Sequence, residues 1–297
     1  MTAVVQAFIE AEKQADRHVA RACELLDVSR SAFYDRLNHT PSIRELSDGE
    51  LREKIKAIHR ASGGTYGAPR IFDELREQGW HVGMKRVARL MVAAGLAGRC
   101  RRRRRRTTFP DPQAKAMNLL GRHFGPENLT IDTTWAGDIT YVRTWQGWAY
   151  LATVMDLASR RIVGWAIGDH MEASLVCDAM RMALAARRPP PGLLFHSDRG
   201  SQYLSTEFKA VLDEHHIVQS LSRPGQCWDN AVIESWHGTY KLELIEDRSW
   251  PTIATLRSAT FAWIEGWYNL RRRHSTLGGI SPANYEKIHQ TAATQAA

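Results

Sequence analysis

From about residue 129 the chain presents three consecutive segments, "WAGDITYVRT", "GWAYLATVMDLAS" and "RRIVGWAIGD", rich in β-branched and aromatic residues and parted by short polar breaks. That is the pattern of a three-strand meander. A helix follows in "EASLVCDAMRMALAAR", then a strand "GLLFHSD", a helix "STEFKAVLDEHH", a strand "IVQSLS" and a helix in "GQCWDNAVIESWHGTYKLEL". The order β-β-β-α-β-α-β-α predicts an α/β domain with a mixed sheet. A last long helix is expected over roughly 252–273, packed over the sheet, and the terminal "QTAATQAA" is expected to fray.

The region before the sheet reads as all-helical. In "HVARACELLDVSRSAFYDRLN" an apolar helix ends near Leu26, "DVS" makes a short turn, and a second helix begins at Ser29 or Arg30. This is helix-turn-helix grammar, with Arg30, Ser31 and Tyr34 at the front of the would-be recognition helix. "ELREKIKAIHRASGG", "APRIFDELREQG" and "MKRVARLMVAAGL" repeat the idea, with Lys85, Arg86 and Arg89 clustered on the early turns of the third helix. The expected organisation is a helix-turn-helix module over 1–45, a second over 46–98, a linker over 99–128, a catalytic domain over 129–290 and a disordered tail over 291–297.

The 297-residue chain carries a formal net charge of +8. Arg99, Arg101, Arg102, Arg103, Arg104, Arg105 and Arg106 supply most of it, since 8 − 7 leaves +1. A block of like charge stays extended unless a polyanion neutralises it, and guanidinium forks suit phosphates. Contact with a nucleic-acid backbone is therefore expected, a solvated linker being the bland alternative. No apolar run approaches the roughly 20 residues that span a bilayer. Cys23, Cys100, Cys177 and Cys227 are scattered and form no CxxC pair, which argues against a zinc knuckle or disulfide framework and for a reducing, cytoplasmic setting.

Asp138 lies inside the first strand and Asp198 ends the fourth, positions that disfavour aspartate unless it has work to do. Singly, each admits a structural role: Asp138 at a sheet edge, Asp198 capping the turn before "RGS". In the helix of 225–244, which Asp229 or Asn230 is placed to cap, Ile233, Trp236, Tyr240 and Leu244 make a buried stripe. Glu234 sits beside that stripe, with Lys241 nearly two turns on, roughly 10 Å away on the same face. Three carboxylates brought close repel unless cations neutralise them, and oxygen-only ligands suit Mg²⁺ or Mn²⁺. Two such ions assist phosphodiester displacement. Ser197 and Ser201 are expected to hydrogen-bond within the turn, and His196 to neighbour the site.

With 35 residues between Asp198 and Glu234 and a base seven beyond, Asp138, Asp198, Glu234 and Lys241 resemble the D-D-35-E signature of retroviral integrases and bacterial insertion-sequence transposases. "W..DITYV", "DLASRRIVGWA", "FHSDRGSQY", "CWDNAVIESWHGTYK" and "YNLRRRHSTLGGISPANYE" are similar to the second-frame protein of the two-reading-frame insertion sequences. The resemblance implies a ribonuclease-H-like five-stranded sheet and two Mg²⁺ ions, or Mn²⁺ in their place, on Asp138, Asp198 and Glu234. It implies Lys241 at the terminal DNA, and cleavage and joining at element ends. It also implies double-stranded DNA partners (terminal inverted repeats and target), a homo-oligomer on DNA, fusion with an upstream-frame protein, and a place in the bacterial nucleoid. Two departures stand out. Trp236 and His237 follow "ES" where relatives often carry two aromatics, and Gly279 replaces a larger residue. The competing readings are a catalytically silent DNA-binding repressor and a ribonuclease-H-like nuclease.

Overall fold

The computed structural model describes residues 3–38, 40–100, 129–222 and 231–296. Arg101 to Arg106, Cys227, Asp229 and Asn230 lie outside the described residues. Two compact units divide between Ile55 and Lys56. The division expected at residue 45 falls inside an unbroken helix, α4 (Ile43–Ala61). The helix continues through Ser47, Asp48 and Gly49, which are poor helix formers, into the amphipathic run that follows.

The first unit holds α1 (Ala3–Gln14), α2 (Val19–Leu25), α3 (Arg30–Leu37) and the start of α4. Ile9, Ala22, Cys23 and Phe33 form its small core. Asp27, at φ +51°, makes the turn, and Ser29 caps α3 by accepting the Ala32 N–H.

In the second unit, α5 (Ala68–Glu77) and α6 (Met84–Ala93) precede the sheet strands β1 (Thr134–Thr144), β2 (Gly147–Asp156) and β3 (Ile162–Gly168). Then come α7 (Ala173–Arg187), β4 (Leu194–Ser197), α8 (Thr206–Glu214) and β5 (Val218–Leu221). Next are α9 (Ala231–Tyr240), widened into a π-helical stretch Lys241–Ile245, and α10 (Ile253–Phe261), widened over Ala262–Tyr268. The chain closes with α11 (Pro282–Ala296). Here an expectation is corrected: 291–296 continue a helix, as an alanine-rich run after an established helix readily does.

Strand order is β3-β2-β1-β4-β5, with β1–β2 and β2–β3 antiparallel and β1–β4 and β4–β5 parallel. This is the ribonuclease-H-like arrangement of a mixed five-stranded sheet with helices on both faces. Trp135, Val154, Val163 and Phe195 bury one face against α7 and α8. Ala136, Val142, Leu151 and Met155 bury the other against Ile233, Trp236, Tyr240, Trp263 and Tyr268. α5 is fastened to the sheet-bearing part of the unit: Tyr66 Oη, just before it, accepts the Arg273 N–H at 2.8 Å, and Arg273 also pairs with Glu74 and Glu77.

β3 and α7 pack backbone to backbone at Gly164, where a Cβ would lie 2.1 Å from Ala179 O and 2.7 Å from Ala183 N. Gly164→Ala is therefore expected to destabilise this unit by about 3 kcal/mol, the upper range for overpacking. Urea unfolding followed by tryptophan fluorescence reads the shift.

Candidate active site

β1 is the central strand, so Asp138 is not an edge residue. Its register explains where it points. In the parallel β1–β4 pair Ala136 faces His196, the last pairing before the strands part. Two residues on, side chains return to the same face, so Asp138 within β1 and Asp198 just past the end of β4 both follow on from that pairing. The charges of both act on Tyr203. Burial pushes this phenol well up from its ordinary value, and Asp138 and Asp198 push it further.

Asp138 is the better ordered of the two acids. Its Oδ1 accepts the Ile139 N–H at 2.8 Å, and its Oδ2 lies 3.3 Å from His237 Nδ1. The other ring nitrogen of His237 lies 3.1 Å from Thr153 Oγ1, on the strand position paired with Asp138. Asp198 is exposed just past the end of β4. Its Oδ1 accepts the Gly200 N–H at 2.9 Å, so it caps the turn.

α9 brings the remaining groups. Ile233, Trp236, Tyr240 and Leu244 are buried as the stripe demands, which leaves Glu234 exposed beside it. His237 is one turn from Glu234, and residues three apart on a helix are about 5–6 Å neighbours at Cβ. The contact of His237 with Asp138 thus carries Glu234 to the same edge of the sheet. Lys241 opens the π-helical stretch, its Nζ 4.8 Å from the Tyr141 ring centroid. Burial lowers the Lys241 pKa while the charge of Asp138 draws it back up, so the ammonium lies in the field of that carboxylate. Among the described residues no three His, Cys, Asp or Glu side chains gather into a metal-holding cluster. Asp138 and Asp198 are brought together; Glu234 stands near them without converging.

His196 is fully buried, its nitrogens 2.9 Å from Ser220 Oγ and 3.1 Å from Ser222 Oγ, so it ties β4 to β5. Ser197 Oγ donates to the Asp198 carbonyl at 3.0 Å. Arg30 and Ser31 are exposed on α3, while Tyr34 is half-buried against the small core with Lys13 over its ring. Lys85 and Arg89 are exposed on α6 and Arg86 is half-buried. Arg99 is engaged within the unit: it donates to the Leu242 carbonyl at 2.9 Å and pairs with Asp247. The residues missed from sequence are Thr153, Tyr203 and the contact role of His237. The signal for His237 was its place on the inner side of the stripe, four residues after Ile233 and three before Tyr240.

Residues 131–227 match the integrase core domain family, 215–282 match a second integrase core domain family, and 45–104 match an HTH-like domain family. The chain is 41% identical to the insertion element IS600 uncharacterized 31 kDa protein of Shigella sonnei, over 91% of this chain and 100% of that one. It is 40% identical to the putative transposase for insertion sequence element IS986/IS6110 of Mycobacterium tuberculosis, over 89% and 96%. It is 37% identical to the transposase InsF for insertion sequence IS3A of Escherichia coli, over 94% and 97%. Among solved structures, the HTLV-2 integrase catalytic core domain in complex with magnesium aligns with a TM-score of 0.40 at 17% identity, covering 53% of this chain and 97% of that one.

Proposed function

The chain belongs to the insertion-sequence transposases with an integrase core, and from that premise we propose that it cuts and joins DNA strands at the ends of its element, using Asp138, Asp198 and Glu234. The observation that carries this reading is the pair of aspartates, Asp138 within β1 and Asp198 just past the end of the neighbouring parallel strand β4, both acting on Tyr203, with α9, the helix of Glu234, held against Asp138 by His237. The donor chemistry fits divalent Mg²⁺ or Mn²⁺. All three side chains offer oxygen only, and Asp198 and Glu234 are open to solvent. When bound, such ions supply Lewis-acid activation of the attacking oxygen and neutralise charge at the leaving one.

The protein's own groups bind and orient. His237, braced by Thr153, fixes the Asp138 carboxylate, and the Gly200 N–H fixes that of Asp198. Lys241 holds a phosphate of the reacting end, its ammonium lying over the Tyr141 ring. The helix-turn-helix residues Arg30, Ser31, Lys85, Arg86 and Arg89, with the arginine run 101–106, hold duplex away from the chemistry. Joining proceeds by direct transesterification from a freed 3′-hydroxyl, with no covalent protein intermediate. Terminal repeats, a multimer that pairs two ends, and a fusion with an upstream-frame protein belong to the same proposal.

The test is strand transfer by the purified protein on labelled oligonucleotides carrying the ends of its own element. Joined product is expected with Mg²⁺ and not with EDTA or Ca²⁺. Binding without joining under every condition favours the repressor reading or an incomplete half of a fusion enzyme. Lys241→Ala is expected to lower joining about tenfold, the loss of one charge-assisted hydrogen bond. Affinity for long duplex, measured by anisotropy, is expected to change much less.

A further inference from the structure

On the flank of α9 turned away from the catalytic edge lies a cavity of about 360 Å³, into which Arg70, Arg160, Arg272, His274, Ser235 and Thr239 all look. Ser235 and Thr239 stand roughly 100–140° round the helix from Glu234, so this is not the catalytic groove. Its walls come from separate parts of the second unit: Arg70 from α5, Arg160 from the turn after β2, Ser235 and Thr239 from α9, Arg272 and His274 from the segment after α10.

The chemistry of the lining is one-sided. Three guanidiniums converge, and no described residue of the lining is a carboxylate. Glu243 satisfies Arg272 without being part of the wall. Burial and then the charge of Arg272 lower the Arg70 pKa, with Glu243 partly opposing, and burial with Arg272, Arg70 and Arg160 holds His274 well below the usual histidine value. The imidazole is thus neutral and a donor or acceptor rather than a fourth cation. Arg160 is 7% exposed and sits at φ +61°, a left-handed conformation that strains a side chain bearing a Cβ. A wall of guanidiniums, hydroxyls and an imidazole with no described carboxylate fits an anionic ligand. Guanidinium forks with hydroxyls beside them suit a tetrahedral oxyanion.

We propose that this cavity is a second phosphate site, taking a backbone phosphodiester of duplex DNA outside the catalytic groove. The proposal rests on the transposase reading above, which supplies the polyanion. Because Arg70 belongs to the helix-turn-helix-like segment and the other walls to the integrase core, a phosphate held here reports the docking of those two parts on one DNA.

The experiment uses the full chain with two probes: a duplex oligonucleotide of arbitrary sequence titrated across NaCl concentrations, and inorganic phosphate in thermal unfolding. Arg70→Gln is expected to weaken duplex binding about tenfold, equally for arbitrary and element-end sequences, and to lower the salt slope by about one. Arg70→Lys is expected to keep the slope. Thr239→Asp is expected to lower it as Arg70→Gln does, without lowering the unfolding midpoint, because the new carboxylate faces three guanidiniums. A folded Arg70→Gln protein with the wild-type slope overturns the proposal. So does a phosphate-induced rise of the midpoint that Arg70→Gln abolishes while the duplex slope stays unchanged, since the cavity then takes a free anion. Wild-type protein that binds no duplex at all instead overturns the transposase reading beneath it.

Discussion

Asp138→Asn, Asp198→Asn and Glu234→Gln are each expected to reduce strand transfer by about a thousandfold or more, while duplex affinity stays within about twofold. The substitutions are near-isosteric. An amide in place of the Asp138 carboxylate keeps an oxygen for the Ile139 N–H, and one in place of Asp198 keeps an oxygen for the Gly200 N–H. The Glu234 side chain is exposed, so its amide counterpart meets no packing constraint. What each substitution removes is a negative charge that the proposed divalent ions need from their oxygen ligands. Folding is expected to be unharmed, because each amide keeps the shape of the acid it replaces and the backbone N–H contacts of the two aspartates survive. Thermal unfolding, duplex anisotropy and strand transfer on the same preparations separate the possibilities. If affinity or unfolding temperature falls in step with joining, the acids hold the fold rather than perform the reaction.

Local patterns in the sequence carry far into this fold. The meander, the alternation after it and the Ile233, Trp236, Tyr240, Leu244 stripe all follow from side-chain periodicity, and each element stands where that periodicity puts it. Strand order does not follow from periodicity, because pairing β1 with β4 depends on contacts some sixty residues apart that no local pattern records. The expected module boundary at 45 coincides with the start of the HTH-like match, although α4 runs through it. The tail expected to fray continues a helix because its low apolar content does not prevent an alanine-rich run from extending one. The candidate acids were legible from type and spacing. The parts that orient them were not: His237 looked like a departure from an aromatic pair, and only the fold puts its ring between Thr153 and Asp138. Arg99 shows the reverse error, since composition places it with a phosphate-binding run and the fold commits it to Leu242 and Asp247.

Glu243→Ala is expected to destabilise the second unit by about 3–5 kcal/mol, the cost of stranding a buried charge. Arg272 Nε donates to both Glu243 oxygens at 3.0 Å and its Nη2 donates to Oε1 at 2.8 Å, with side chains only 5% and 4% exposed. Without the carboxylate the guanidinium stays buried beside Arg70 and Arg160, which share its cavity wall. Replacing both partners by apolar residues of similar volume, Arg272→Met with Glu243→Leu, is expected to cost far less, since the pair's attraction largely cancels its own desolvation. Tryptophan fluorescence in urea reads this unit directly, because Trp236 and Trp263 lie in the same core as Tyr268. Glu243 belongs to the π-helical stretch that Lys241 opens, so its loss also loosens the base proposed above to hold the reacting end. Joining by Glu243→Ala is accordingly expected to fall at the temperature where the wild type is most active and to recover on cooling, whereas Asp138→Asn stays inactive at every temperature. A loss of less than about 1 kcal/mol in Glu243→Ala, below the range for a broken buried pair, would show that Arg272 finds another carboxylate and that this contact does not hold the helix pair together.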